Sequence, residues 1–75
     1  MYTPVKRVAD QIANVFTYHA PKPDQVPRYE MLRDRAGELA RLIVANTPES
    51  REQSLALTKL EEAIMFANAA IARNE

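Results

Sequence analysis

Phe16–Arg35 reads FTYHAPKPDQVPRYEMLRDR. Three of the chain's five prolines lie in it, with the only histidine, two of the three tyrosines and four of the ten Lys/Arg residues. Pro21, Pro23 and Pro27 each fix φ and remove a backbone donor, and each pushes the residue before it toward extended geometry. A helix cannot run through such a stretch. Residues 17–27 therefore read as an extended, fairly stiff hinge, with Asp24 as a cap and Pro27 in the first turn of the next helix. This break divides the chain into a short helix before the hinge and longer ones after it.

Upstream, Val5, Val8, Ile12 and Val15 recur at spacings of three and four and define one apolar face of a helix over about 4–16. Thr3 is placed to cap it, with Pro4 in its first turn. Downstream, Tyr29, Leu32, Ala36, Leu39 and Ile43 alternate at three and four residues, a heptad-like seam within a helix over about 25–46. Ala40, Leu42 and Val44 widen that face, which suits a helix with more than one neighbour. Gly37 sits mid-helix at a cost of about 1 kcal/mol relative to alanine. Close helix approach and simple tolerance both account for it. Glu30, Asp34 and Glu38 read as surface charges, with Glu38–Arg41 an i,i+3 pair. Thr47-Pro48-Glu49-Ser50 carries a cap, a proline and an acid, the signature of a helix start. The helix it opens runs over about 48–73, with Leu57, Leu60, Ile64, Ala67 and Ile71 as its seam. Its alanine-rich end, FANAAIA over 66–72, is small enough to approach a symmetry axis.

These elements predict a single helical domain over 1–75: a compact, small all-α fold with one short N-terminal helix and two long antiparallel helices, assembling as an oligomer. The oligomer is expected because a chain of 75 residues is thin. Cores this small supply about 3–5 kcal/mol and are usually stapled by disulfides, metal or self-association. There is no cysteine, and one histidine makes a poor zinc site. The net charge is zero, which argues against binding DNA or RNA polymers through a broad basic surface. No run approaches the ~20 apolar residues that span a bilayer, and Met1–Ala13 lacks the apolar run of a signal peptide. A soluble, intracellular protein is expected, with no membrane partner and no cofactor.

Catalysis has little to work with. There is no thiol nucleophile and no glycine-rich phosphate loop, since Gly37 is the only glycine. Ser50 and Ser54 have no histidine near in sequence, and Glu61 and Glu62, adjacent on a helix, point to different faces. The hinge is richer. Tyr18 and His19 are flat side chains able to stack on a base, worth about 1–3 kcal/mol per base. Lys22, Arg28, Arg33 and Arg35 surround them, although the helix turns Arg33 away from Arg28 and Arg35. Each has an ordinary reading beside the functional one. Tyr18 also suits packing against a small core, and His19 a backbone hydrogen bond. Lys22 alone suits a solvated lysine better than a ligand contact, and Arg33–Asp34–Arg35 suits a charged helix face. Asn68, polar among alanines, suits a contact between chains.

The Tyr18-His19-x-Pro21 hinge, the following Gln25-x-x-Arg28-Tyr29-x-x-x-Arg33, and SREQSLALTKLEEAIMFANAAIAR over 50–73 resemble the small phage proteins that sequester cyclic nucleotides, the type 2 anti-CBASS family. The likeness spans roughly residues 16–75 and is most specific in 54–73. It implies a non-catalytic, compact helical homohexamer in the host bacterial cytoplasm. That assembly would bind cyclic dinucleotides such as 3′,3′-cGAMP in pockets shared between protomers, and in some members cyclic trinucleotides in separate pockets. By resemblance Tyr18 takes the base-stacking role and Arg33 faces phosphate, with His19 and Lys22 as weaker contributors and Arg73 as a candidate for the second pocket. A reading from a different class also fits the heptad seams: a small helical interaction module that binds a host protein through an apolar face.

Overall fold

The structure, a computed structural model, describes all residues 1–75 and contains three helices and no strand. They are α1 (Lys6–Val15), α2 (Val26–Asn46) and α3 (Arg51–Asn74). The start of α2 meets the end of α3 through Arg28 and Glu75, so the two long helices run antiparallel as a hairpin. The short turn 47–50 joins them.

Local chemistry sets the boundaries. Ser50, fully extended at φ −169° and ψ 169°, caps α3 by accepting from the Gln53 amide at 3.1 Å. Gln53 reaches back and donates to the Thr47 carbonyl at 3.0 Å, tying the turn together. Glu52 in the first turn and Arg73 in the last complement the helix dipole. Thr47 is therefore not the cap of α3. Its hydroxyl donates to the Ile43 carbonyl, and Asn46 does the same to Leu42, so both serve the loose carbonyls at the end of α2. The other two expected caps also differ. Val5, not Thr3, precedes α1, and no side chain caps it, so Thr3 and Pro4 lie outside the helix. Gln25, not Asp24, occupies the cap position of α2, with Pro27 in the first turn as expected.

Tyr29, Leu32, Ala36, Ala40 and Ile43 are half-buried on α2, whereas Leu39 is 46% exposed. Ala40 takes the place that the expected seam gives to Leu39, and Gly37, half-buried as well, lies on the same flank of the face. On α3 the expected seam, Leu57, Leu60, Ile64, Ala67 and Ile71, is half-buried, and towards its end Asn68, Ala69, Ala72 and Arg73 are half-buried too. Glu38 pairs with Arg35 at 3.2 Å rather than with Arg41. Arg41 instead lays its guanidinium over Gly37, where a Cβ would stand 3.5 Å from Nη1. Nothing from α3 comes that near, so close packing within the hairpin does not explain the glycine.

One chain does not make a core. No apolar residue is fully buried, and the single buried residue is Gln25, 2% exposed. The molecule measures 49 × 37 × 14 Å, and a helix with its side chains is about 10–12 Å across. The helices thus form one layer, wet on both faces. The accessible surface is 6313 Å² for 8.5 kDa, against about 4,700 Å² for a compact monomer of that mass. The radius of gyration is 16.7 Å, against about 11 Å for a compact chain of this length. Val5, Ile12 and Phe16 near α1, Met31 and Leu42 on α2, and Leu55 and Phe66 on α3 all stand exposed.

Candidate functional site

Two adjoining grooves run beside the hairpin. The first, about 320 Å³, lies where the hinge crosses the end of α3 and is lined by Tyr18, His19, Tyr29, Ala69 and Arg73 among others. The second, about 340 Å³, lies along the seam and has Arg33 and Glu61 at its polar edge and Gly37, Ala40 and Ile64 on its apolar floor. Asn68 lines both. A third concavity of about 380 Å³ on the outside of α2 carries Glu30, Asp34 and Glu38 against Arg35 alone, a balance unfavourable to an anion.

The hinge groove exists because the hinge is tied to the last turn of α3. Asn14, at the end of α1, donates from Nδ2 to the Arg73 carbonyl at 3.1 Å. The Asn14 carbonyl accepts from His19 Nε2 at 2.8 Å. A carbonyl only accepts, so the His19 proton sits on Nε2, and the ring is fixed by backbone. This leaves Tyr18, 84% exposed, on the open side of the hinge beside Arg73. An exposed phenol ring next to a guanidinium can stack on a base while the cation meets its phosphate.

The cations divide by whether a carboxylate already holds them. Arg28 is gripped by Glu75 and has Asp24 at 3.8 Å, and Arg35 bonds Glu38. Lys22, Arg33 and Arg73 form no ion pair. Arg7, Arg41 and Arg51 are unpaired as well, so it is position rather than freedom from a carboxylate that sets the nominated residues apart. Their placement is uneven. Tyr18, His19 and Arg73 come together, Arg33 lies in the neighbouring groove, and Lys22 lines neither. Arg73, a candidate for the second pocket, thus lines one groove with Tyr18, and Tyr18 and Arg33 of one chain line different grooves.

Asn68, singled out in the sequence for a contact between chains, has its Oδ1 shut away from solvent, and no donor of the chain reaches it. A feature that escaped the reading of the sequence is the contact of Glu75 with Arg28, which holds the Glu75 carboxyl at about 2, below its usual 4.5, chiefly by the hydrogen bond from Arg28. The same bond raises the Arg28 guanidinium further. Gln25 and Arg28 belong to the Gln-x-x-Arg element of the resemblance, but their partner lies 47 residues from Arg28.

The hydroxyl of Ser50 is engaged in its cap, accepting from Gln53 and donating to the Pro48 carbonyl. No helix is long and apolar enough to cross a membrane. What the fold offers is a helical hairpin whose proline hinge presents an aromatic and a free cation, the make-up of a small binding module. The chain belongs to the Acb2/Tad1 hairpin-domain family, whose model matches residues 9–72. That span takes in the whole hinge and nearly all of the hairpin. No curated protein and no solved structure matches it.

Proposed function

We propose that this chain is a non-catalytic sponge that sequesters cyclic oligonucleotide second messengers, 3′,3′-cGAMP-like dinucleotides foremost and cyclic trinucleotides in addition, and so blocks bacterial CBASS anti-phage signalling in the host cytoplasm. The supporting observation is the hinge groove: an exposed Tyr18 ring beside the unpaired Arg73, in a chain of the Acb2/Tad1 hairpin family. The groove's 320 Å³ is at the low end of the ~300–1,000 Å³ typical of small-molecule sites. A cyclic dinucleotide has two bases and two phosphates, so one chain's groove accommodates part of it. A second copy would complete the pocket and would bring its own Arg33 to the phosphates, since Tyr18 and Arg33 of one chain are not in one groove. Self-association, as a homohexamer by family resemblance, also covers the apolar faces that the single layer leaves wet.

The test is stoichiometric binding of 3′,3′-cGAMP by calorimetry, followed by heat release and chromatography of the nucleotide. Intact ligand supports a sponge, and cleaved ligand would sink that reading in favour of a phosphodiesterase. Tyr18→Ala should weaken binding by about 5- to 150-fold, from a lost stacking contact of about 1–3 kcal/mol, with the assembly's mass unchanged. Unaltered affinity would show the site to be elsewhere.

The same exposed apolar faces favour a second reading, a helical module that grips a host protein. A single stoichiometric protein partner, with no change in melting temperature across a panel of cyclic nucleotides, is the result that would select it.

A further inference from the structure

Gln25, the one buried residue, is polar, and its groups are engaged from all sides. Oε1 accepts from the Lys22 amide at 2.9 Å, and Nε2 donates to Glu75 Oε1 at 3.3 Å. Its own amide donates to the Lys22 carbonyl at 2.9 Å, and its carbonyl accepts from the Arg28 and Tyr29 amides at 3.0 Å. Glu75 then grips Arg28 with both oxygens, Oε2 at 2.8 Å from Nη1 and Oε1 against Nη2. These bonds join three separate pieces of chain: the hinge at Lys22–Gln25, the first turn of α2, and the residue that follows α3. A charge-assisted, two-pronged pair of this kind fixes orientation as well as distance.

The other end of the hinge is pinned to the same place. Asn14 holds the Arg73 carbonyl, and His19 holds the Asn14 carbonyl. The segment that carries Tyr18 is therefore a short span stretched between two anchors, one on the carbonyl of Arg73 in the last turn of α3 and one on Glu75 just beyond it. Little apolar packing assists, since Tyr18 and Phe16 are exposed.

We propose that Gln25, Arg28 and Glu75 form a polar clamp that presets the Tyr18–His19–Arg73 groove, acting as positioning residues that hold the hinge in its binding geometry without touching the ligand. The proposal rests on the ligand-binding reading given above. Glu75 lies outside the span 9–72 matched by the family, so the clamp uses a residue that the family match does not cover.

Positioning has a kinetic signature. When only a fraction of molecules has the hinge in place, the apparent affinity falls by that fraction. The loss appears in the association rate, because a molecule once bound has the wild-type contacts. Loss of a contact residue raises the dissociation rate instead, as interface mutations usually do. The experiment compares wild type, Glu75→Gln, Glu75→Asp and Tyr18→Ala as intact assemblies, by stopped-flow binding of 3′,3′-cGAMP and by amide hydrogen exchange without ligand. For Glu75→Gln an association rate lowered by about tenfold and a dissociation rate within about twofold of wild type are expected, corresponding to a hinge in place in about one molecule in ten. Glu75→Asp should recover part of the loss, and Tyr18→Ala should change dissociation. In the ligand-free protein the Lys22 and Gln25 amides should exchange faster in Glu75→Gln, with those of Ala36–Ile43 unchanged. Unchanged exchange at Lys22 and Gln25, or an effect confined to dissociation, overturns the clamp as a positioning device. If wild type binds no cyclic nucleotide, the sponge reading and the clamp's role toward such a ligand both fall, while the exchange comparison still decides whether the clamp holds the hinge.

Discussion

Dilution is the most direct perturbation of a chain that buries no apolar residue. The chain exposes 6313 Å², about 1,600 Å² beyond a compact monomer of its mass. A standard interface buries about 800 Å² per partner, so the excess equals about two such faces on each copy. A chain held together in this way is only marginally stable once it dissociates, and its stability is inseparable from its concentration. Each tenfold change in concentration is worth about 1.4 kcal/mol per association step. A hundredfold dilution therefore removes about 1.4 kcal/mol per chain from a dimer and about 2.3 kcal/mol from a hexamer. At about 4–8 °C per kcal/mol for a domain of this size, the melting midpoint should fall by at least about 6 °C for a dimer and about 10 °C for a hexamer. The assay is circular dichroism melting in long- and short-path cells over that range, with light scattering for mass at each concentration. A monomeric mass and a midpoint independent of concentration would refute the inference from surface area to assembly.

Three further outcomes rest on particular residues. Gly37→Ala should stabilise the protein by about 1 kcal/mol through helix propensity, because the new Cβ meets only the mobile end of Arg41 at 3.5 Å; chemical denaturation measures it, and a loss of stability would show that another chain packs on Gly37. Asn68→Leu removes a buried acceptor that has no donor, and should be neutral or stabilising by about 1 kcal/mol in denaturant, whereas clear destabilisation would mean that Oδ1 is satisfied in the assembled protein. The Glu75 carboxyl sits at about 2 in the folded chain against 4.5. Since the folded value is the lower, its contribution is fully present above about pH 4.5 and is lost as pH falls toward 2. The gap in melting temperature between wild type and Glu75→Gln should therefore close across that window at constant ionic strength, and a gap independent of pH would contradict the ion pair.

The helices were legible because their causes are local. Valine and leucine spacings marked the faces, and the prolines from Pro21 to Pro27 marked the break. Leu39 and Ala40 lie equally far from the centre of the α2 face, on opposite flanks, so which of them is covered depends on where α3 sits and not on local spacing. Thr3 and Thr47 were misplaced because a Thr-Pro pair imitates a helix start. At Thr47 the hydroxyl serves the helix behind it, and Ser50, with Gln53 three residues on, takes the cap. At the candidate site, Tyr18, His19, Lys22 and Arg33 could be nominated from residue type. Which of them share a groove could not, because Arg73 reaches the hinge only through the fold, as does the contact of Arg28 with Glu75.

The turn at 47–50, tied by Ser50 and Gln53, has a bearing on how the protein forms. It brings α2 and α3 together as neighbours in sequence, so the hairpin zips from one end through contacts of rising but short separation. Chains with such local topology fold in about microseconds to milliseconds, whereas subunit encounter takes about milliseconds to minutes and depends on concentration. Refolding should accordingly run in two stages, a helical signal that does not vary with protein concentration and then a second-order phase that does. The hinge, whose anchors lie far apart in the chain, waits for the hairpin to close before it has anywhere to dock.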